Sequence, residues 1–167
     1  MRKLQILKSL VDFLFITTSC LVPFLVLGVP AVFILSENIT SDFLKIDVAE
    51  KITIMHRFFI AILLLSYLLI YYTIYKFRVV LSEFVRARIF TEKVINNLKT
   101  AGNVLMISGL LMIISEVGLK LAIESKISFE FGISTQFLCI CFGLFFVVLS
   151  EIFRVSKSMK QENDLTI

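Results

Sequence analysis

The sequence predicts an all-α integral membrane protein, a four-transmembrane-helix bundle in a single domain over residues 1–167. Hydrophobic residues make up 58% of the chain and charged residues 18%, and the mean hydropathy of +0.94 is well above that of water-soluble domains. Lys, Arg, Asp and Glu are absent from residues 13–35, 58–75, 101–115 and 131–150. A helix needs about 20 apolar residues to cross a hydrocarbon core of about 30 Å. The predicted spans are therefore about 12–35, 56–76, 100–121 and 131–152.

The first uncharged stretch is predicted to be a retained span, because it is longer than the core of a signal peptide and no cleavage site follows it. It contains Pro23, Gly28 and Pro30. Each proline removes a helical hydrogen bond, so we expect a kinked helix. Ordinary bending of a membrane helix is preferred over a substrate-binding break, since such breaks usually occur in paired repeats and the sequence shows no repeat.

The distribution of basic residues predicts the orientation in the membrane. Twelve of the 17 Lys and Arg residues lie before the first span, between the second and third spans, or after the fourth. Basic residues next to short loops are retained in the cytoplasm. The N- and C-termini and the middle loop are therefore expected to be cytoplasmic. The net charge of +4 reflects this asymmetry and gives no reason to expect direct nucleic-acid binding.

The middle loop is predicted to form a cytoplasmic helical hairpin. Apolar residues recur at helical spacing over residues 77–85, so the second helix should continue beyond its span. The turn is expected at residues 87–90, followed by Thr91 as the N-cap of the third helix. Glu92 is then well placed against the helix dipole.

The third span carries small residues in a seven-residue rhythm, which places them along one seam: Ala101, Gly102, Ser108, Gly109 and Ser115. Small residues let helices approach closely in lipid. The seam would serve an internal contact or a homodimer, and the internal contact is preferred. Beyond it, Glu116, Lys120 and Glu124 follow at four-residue steps that allow pairing along a helix face. A solvated helix end is preferred over the alternative, a buried acid that relays protons.

The two outer loops alternate weakly between apolar and polar residues, at residues 44–48 and 127–131. This pattern predicts a small extracellular β-ribbon, which would have to rest on the helix ends or on a partner. No phosphate-binding loop, nucleophile elbow or histidine pair is visible, so the protein is not expected to be an enzyme. The chain has a single histidine and three cysteines that fall inside spans. No metal, cofactor or disulfide is therefore predicted.

Two short stretches resemble a known family. RARIFTEKVINNLKTAG, at residues 86–102, is similar to a Phe-Ser/Thr helix start followed by a basic helix that ends in a small residue. ENDLTI, at residues 162–167, is similar to an acidic-Leu-Thr-aliphatic ending. Both features, in this order, resemble the bacterial four-span membrane proteins catalogued as domain of unknown function 2975. Ala87 and its neighbours stand where the family pattern has a glycine before the Phe-Thr pair.

The resemblance implies a multi-pass protein of the bacterial inner (plasma) membrane, whose genes often neighbour a small helix-turn-helix regulator. We therefore expect a regulatory or sensory membrane protein that presents a cytoplasmic surface, made by the hairpin turn and the C-terminal tail, to a protein partner. The acids of the tail are expected to face the basic hairpin. The candidate interaction residues are Arg86, Arg88, Phe90, Thr91, Lys93, Glu162, Asp164 and Leu165.

The alternative is a protein that binds or carries a small apolar ligand or a membrane lipid inside the bundle. This hypothesis uses the expected kink at residues 23–30 and the aromatic side chains of the fourth span, which are Phe137, Phe142, Phe145 and Phe146. Phenylalanine is common in membrane spans as a packing or lipid-facing residue, so the regulatory hypothesis is preferred.

Overall fold

The computed structural model describes residues 2–35, 54–124 and 134–165, and these residues form four α-helices. The helices are α1 (Arg2–Leu35), α2 (Ile54–Val85), α3 (Glu92–Glu124) and α4 (Thr135–Leu165). Each contains an apolar segment long enough to cross a membrane. The prediction of an all-α, four-span membrane protein is thus confirmed for the described part of the chain. The expected β-ribbon falls on residues outside the described ranges.

The helices are longer than a membrane requires. α2 has 32 residues, which is about 48 Å at 1.5 Å per residue, against a hydrocarbon core of about 30 Å. Its uncharged stretch ends just before Lys76. The last ten residues of α2, the turn that follows, and the first turns of α3 therefore extend beyond the apolar layer as a helical hairpin.

The helices pack in chain order around α3. α3 contacts both α2 and α4, whereas α1 contacts only α2 among the described residues. Asp12, near the start of α1, pairs with Arg78 of α2, and Lys157 of α4 pairs with Glu92 of α3. The N-terminal end of α1, the hairpin and the C-terminal end of α4 therefore lie at the same end of the bundle, which we call the hairpin end.

α1 is a peripheral helix whose side chains are mostly exposed. Besides the ion pair, Phe15 stacks on Tyr71 with ring centroids 5.2 Å apart, and the Tyr71 hydroxyl donates to Ser19 Oγ at 3.3 Å. The Arg78 guanidinium lies 5.0 Å from the Phe15 ring centroid. The helix continues through Pro23 to Leu35, and the expected kink stays a prediction.

The best-packed part of the chain is the hairpin end. Val80 of α2 and Val94 and Leu98 of α3 are at most 1% exposed and form one buried cluster. Partly buried residues from α2 and α4 surround it: Phe77, Phe84, Phe146, Leu149 and Phe153. The clustering of apolar residues where the helices leave the lipid follows from the hydrophobic effect, which acts in water and is absent between helices in lipid.

The seam of α3 faces its two neighbours. Ala101 and Ser108 are fully buried, and the Ser115 hydroxyl donates to the Phe59 carbonyl of α2 at 2.8 Å. The glycines of the seam lie against α4. A Cβ on Gly102 would lie 2.6 Å from the Gly143 carbonyl oxygen, and a Cβ on Gly109 would lie 2.8 Å from a carbon of Ile140. These contacts are internal to the chain, and the homodimer stays a prediction.

Candidate functional site

The hairpin turn ends α2 with a specific pair of backbone hydrogen bonds. The Ala87 N–H donates to the Phe84 carbonyl at 3.0 Å, and the Arg88 N–H donates to the Glu83 carbonyl at 3.0 Å. Together they form a Schellman motif with Ala87 at the position that usually holds glycine. Ala87 has a φ of 58°, and it is the only non-glycine residue with positive φ in the described ranges. At the position where the family pattern has a glycine, this chain therefore has Ala87 in the left-handed conformation.

The start of α3 uses the expected cap. The Val94 N–H donates to the Thr91 hydroxyl oxygen at 3.4 Å, and the Thr91 carbonyl accepts from the Ile95 N–H at 3.1 Å. The side-chain contact is long for a hydrogen bond, so the cap is weak. The turn occupies residues 86–91, which includes the predicted residues 87–90.

An ion pair holds the two arms of the hairpin together. Lys93 Nζ of α3 donates to Glu83 Oε1 of α2 at 2.8 Å, and the Glu83 side chain is only 6% exposed. The hydrogen bond from Lys93 holds the pKa of Glu83 below its usual value, although burial opposes the shift and the nearby Arg86 and Arg88 add to it. Lys93 is therefore a structural partner of α2, in addition to being a candidate for binding.

α4 reaches the turn through one aromatic contact and one ion pair. The rings of Phe90 and Phe153 meet edge to face with centroids 6.0 Å apart, and Phe153 also meets Phe84 at 5.7 Å. Lys157 Nζ donates to Glu92 Oε1, and this hydrogen bond lowers the pKa of Glu92. The aromatic partner of Phe90 therefore lies on α4.

These contacts create a shallow groove of about 310 Å³ between the turn and α4. Its lining residues, which we call the hairpin platform, are Ala87, Arg88, Ile89, Phe90, Thr91, Lys157, Lys160 and Gln161. Ile89 is 37% exposed and Phe90 is 41% exposed. The platform thus combines exposed apolar side chains with three basic residues, and none of its eight residues is acidic.

The first part of the C-terminal tail is helical, because α4 continues to Leu165, beyond the predicted fourth span at residues 131–152. The predicted bounds of that span stay a prediction. Glu162 is exposed, and the side chains of Asp164 and Leu165 lie outside what the structure describes. The expected pairing of the tail acids with the hairpin arginines stays a prediction. The ion pair that joins α4 to the hairpin has the opposite polarity, with the base on α4 and the acid on α3.

The α4 residues that complete the platform were not among the predicted interaction residues. A signal was present, because Leu149, Phe153, Lys157 and Lys160 recur at three- and four-residue steps and therefore share one helix face. The structure also places residues that the alternative ligand hypothesis names, and that hypothesis stays a prediction. Phe137, Phe142 and Phe145 are exposed on α4, and α1, which carries the prolines, does not contact α4 in the described ranges.

Comparison with known proteins gave one family match. A family model described as a protein of unknown function (DUF2975) matches residues 14–167. Neither the search of curated proteins nor the search of solved structures found a match. The family match covers nearly the whole chain and includes the hairpin, the platform and the tail. The chain therefore belongs to the DUF2975 family of membrane proteins, as the two sequence motifs had suggested.

Proposed function

We propose that this protein is a non-enzymatic regulatory or sensory membrane protein whose hairpin platform binds a cytosolic protein. The main support is the way the platform is built. Two segments more than sixty residues apart in the chain, the turn and the end of α4, meet through Phe90, Phe153 and the Glu92–Lys157 ion pair. They hold exposed apolar side chains in a fixed arrangement outside the apolar layer, which is typical of an interaction surface.

The chemistry of the platform indicates what kind of partner it would bind. Ile89 and Phe90 offer apolar area, and Arg88 and Lys160 are exposed around them. A complementary surface has an apolar anchor flanked by Asp or Glu side chains. A small helix-turn-helix regulator, suggested by the family resemblance, is the first candidate. In this arrangement the nucleic acid would contact the regulator, and the membrane protein would hold the regulator at the membrane.

The proposal requires the hairpin end to face the cytoplasm of a bacterial inner membrane, as the basic residues indicate. Single cysteines placed in a thiol-free background test this. Positions near Asp47 and Ser128 should react with an impermeant maleimide in intact cells. Positions near Arg88 and Gln161 should react only after permeabilisation. The opposite labelling pattern would overturn the orientation and the proposal with it.

Binding is tested with a photo-crosslinking amino acid at position 89, which captures the partner in cells. The captured protein is identified, and its affinity for the purified chain in nanodiscs is then measured. Arg88→Glu and Lys160→Glu should each weaken that affinity and reduce its salt dependence. Lys3→Glu is the matched control, because it makes the same charge change at the hairpin end but outside the groove. Unchanged affinity in both platform variants, or an equal loss in the control, would contradict the proposal. Deletion of residues 162–167 then tests the tail separately.

A further inference from the structure

One face of α2 is aromatic and basic at the point where the helix leaves the apolar layer. Tyr75 and Lys76 follow Tyr72 at three and four residues, so the three side chains share a helix face. Tyr72 is 41% exposed and Tyr75 is 45% exposed. Lys76 is the first charged residue after the uncharged stretch at residues 58–75. The face therefore lies at the depth of the lipid head groups.

The Lys76 side chain is directed back toward the bilayer. Its Nζ lies 5.2 Å from the centroid of the Tyr72 ring, which is one helical turn closer to the middle of the apolar segment. Side chains of a helix lean toward its N-terminus, and for this part of α2 that is the membrane side. A cation over an aromatic face is attracted to it, so Tyr72 holds the ammonium group in this position. The positive charge of Lys76 is thus held beside the lipid.

Lys76 differs from the neighbouring cations in having no acidic partner among the described residues. Arg78, two residues further along α2, is paired with Asp12 of α1, and Lys93 is paired with Glu83. None of the described carboxylates forms an ion pair with Lys76. The chain is described without a gap from residue 54 to residue 124, which includes the neighbours of Lys76 on α2 and α3. The ammonium group is therefore available to an anion that approaches from the lipid.

The hairpin platform is too far from this face to be the same site. α2 continues to Val85, nine residues beyond Lys76, which is about 13 Å at 1.5 Å per residue. The head-group region of a bilayer is only about 5–7 Å deep on each side of the hydrocarbon core. Lipid head groups therefore reach Lys76, whereas the platform lies in water beyond them.

We propose that Tyr72, Tyr75 and Lys76 form a binding site for an anionic phospholipid. The Lys76 ammonium group binds the lipid phosphate, and the two exposed tyrosine rings contact the upper part of the acyl chains. A lipid is the partner that fits, because the ammonium group lies at head-group depth on an exposed aromatic face. Phosphatidylcholine gains less from Lys76, since its own cation balances its phosphate. This site and the platform involve different residues, so each is tested independently of the other.

The chain contains no tryptophan, so a single introduced tryptophan reports on the lipid beside it. Tyr72→Trp keeps an aromatic ring under Lys76, and tryptophan is the best ring for this interaction. Phe145→Trp is the matched control. Phe145 is 56% exposed on α4, and its neighbour Phe146 stacks on Phe77 of α2, so it lies at about the depth of Lys76. Each protein is reconstituted in phosphatidylcholine containing a fraction of brominated phosphatidylglycerol or brominated phosphatidylcholine, and bromine quenches the fluorescence of an adjacent tryptophan.

In the Tyr72→Trp protein, quenching should show about a fivefold preference for phosphatidylglycerol, which is the effect expected for one basic residue at an anionic lipid surface. Lys76→Gln in this background should remove the preference, and Lys76→Arg, which keeps the charge, should retain it. Lys99→Gln should also retain it. Lys99 is another exposed lysine outside the described ion pairs, two residues before the uncharged stretch of α3. The Phe145→Trp protein should show no preference.

Four results would overturn the inference. Equal quenching by the two brominated lipids at position 72 would mean that the face does not select anionic lipid. An equal preference at position 145 would indicate a general attraction of anionic lipid to the basic hairpin end. An equal loss of preference in Lys99→Gln would have the same meaning. A preference that survives Lys76→Gln would show that other groups bind the phosphate.

Discussion

Replacing Ala87 by glycine is expected to stabilise the hairpin turn. Ala87 is held at a φ of 58° by the two hydrogen bonds that close the end of α2. In this left-handed conformation a Cβ atom crowds the carbonyl oxygen, whereas glycine adopts the conformation without strain. The substitution therefore removes strain from the folded state and leaves the hydrogen bonds in place.

The size of the effect follows from two opposing terms. The left-handed conformation costs a residue with a Cβ about 1–2 kcal/mol. Glycine loses more backbone freedom on folding, and this entropy cost cancels roughly 0.4–1 kcal/mol of the stabilisation. The net stabilisation of the turn by Ala87→Gly should be about 0.5–1 kcal/mol, which corresponds to a two- to fivefold decrease in the equilibrium constant for local opening at roughly 1.4 kcal/mol per tenfold.

Hydrogen exchange in nanodiscs measures this opening directly. The Arg88 N–H, which donates to the Glu83 carbonyl, should exchange about two- to fivefold more slowly in Ala87→Gly, while exchange over residues 104–114 should not change. Ala87→Val should shift exchange in the opposite direction, because a β-branched residue is poorly accommodated at positive φ. Faster or unchanged exchange in the glycine variant would refute the left-handed assignment of the turn.

Three further predictions concern the cap, the helix contacts and the ion pairs. Thr91→Ala should destabilise the start of α3 by at most about 1 kcal/mol, because the contact to Val94 is long, and Thr91→Ser should be nearly silent in hydrogen exchange. Gly143→Ala should lower the thermal unfolding midpoint, since its Cβ would lie 2.7 Å from the Gly102 carbonyl oxygen, whereas Gly28→Ala, with open space around it, should not. The pKa values of Glu83 and Glu92 are lowered by their lysine partners, so this stabilisation should be complete above the ordinary Glu pKa and lost as the pH falls through the lowered values. Thermal unfolding as a function of pH measures that loss, and Glu83→Gln should reduce it; equal pH dependence in the variant would contradict the assignment.

Sequence patterns predicted the ends of the hairpin because they lie where the chain leaves the lipid. There apolar and polar residues alternate with the helical period, and a cap residue such as Thr91 marks a helix start. The packing of the spans was harder to predict. Inside the membrane both faces of a helix are apolar, so periodicity does not reveal which face is buried. No sequence pattern therefore indicated that α1 is peripheral. The pairing of its Asp12 with Arg78 of α2 was not predictable either.

Within the bundle, some contact residues were predictable from a sequence repeat and others were not. The small residues of α3 repeat every seven positions, so Gly102 and Gly109 could be recognised as a seam. Their neighbour Gly143 on α4 stands without such a repeat and was missed. Gln136 was missed for another reason. Its importance comes from Glu116, twenty residues earlier, and only the packing of α3 against α4 brings the two side chains together.

The two ends of the bundle are stabilised by different forces. At the hairpin end, water drives Val80, Val94 and Leu98 into a packed core, and ion pairs fix the turn against α4. The platform is therefore built on a rigid base, which lowers the cost of ordering when a partner binds. Toward the opposite end, lipid removes the hydrophobic drive between helices, and α2, α3 and α4 leave a cavity of about 560 Å³.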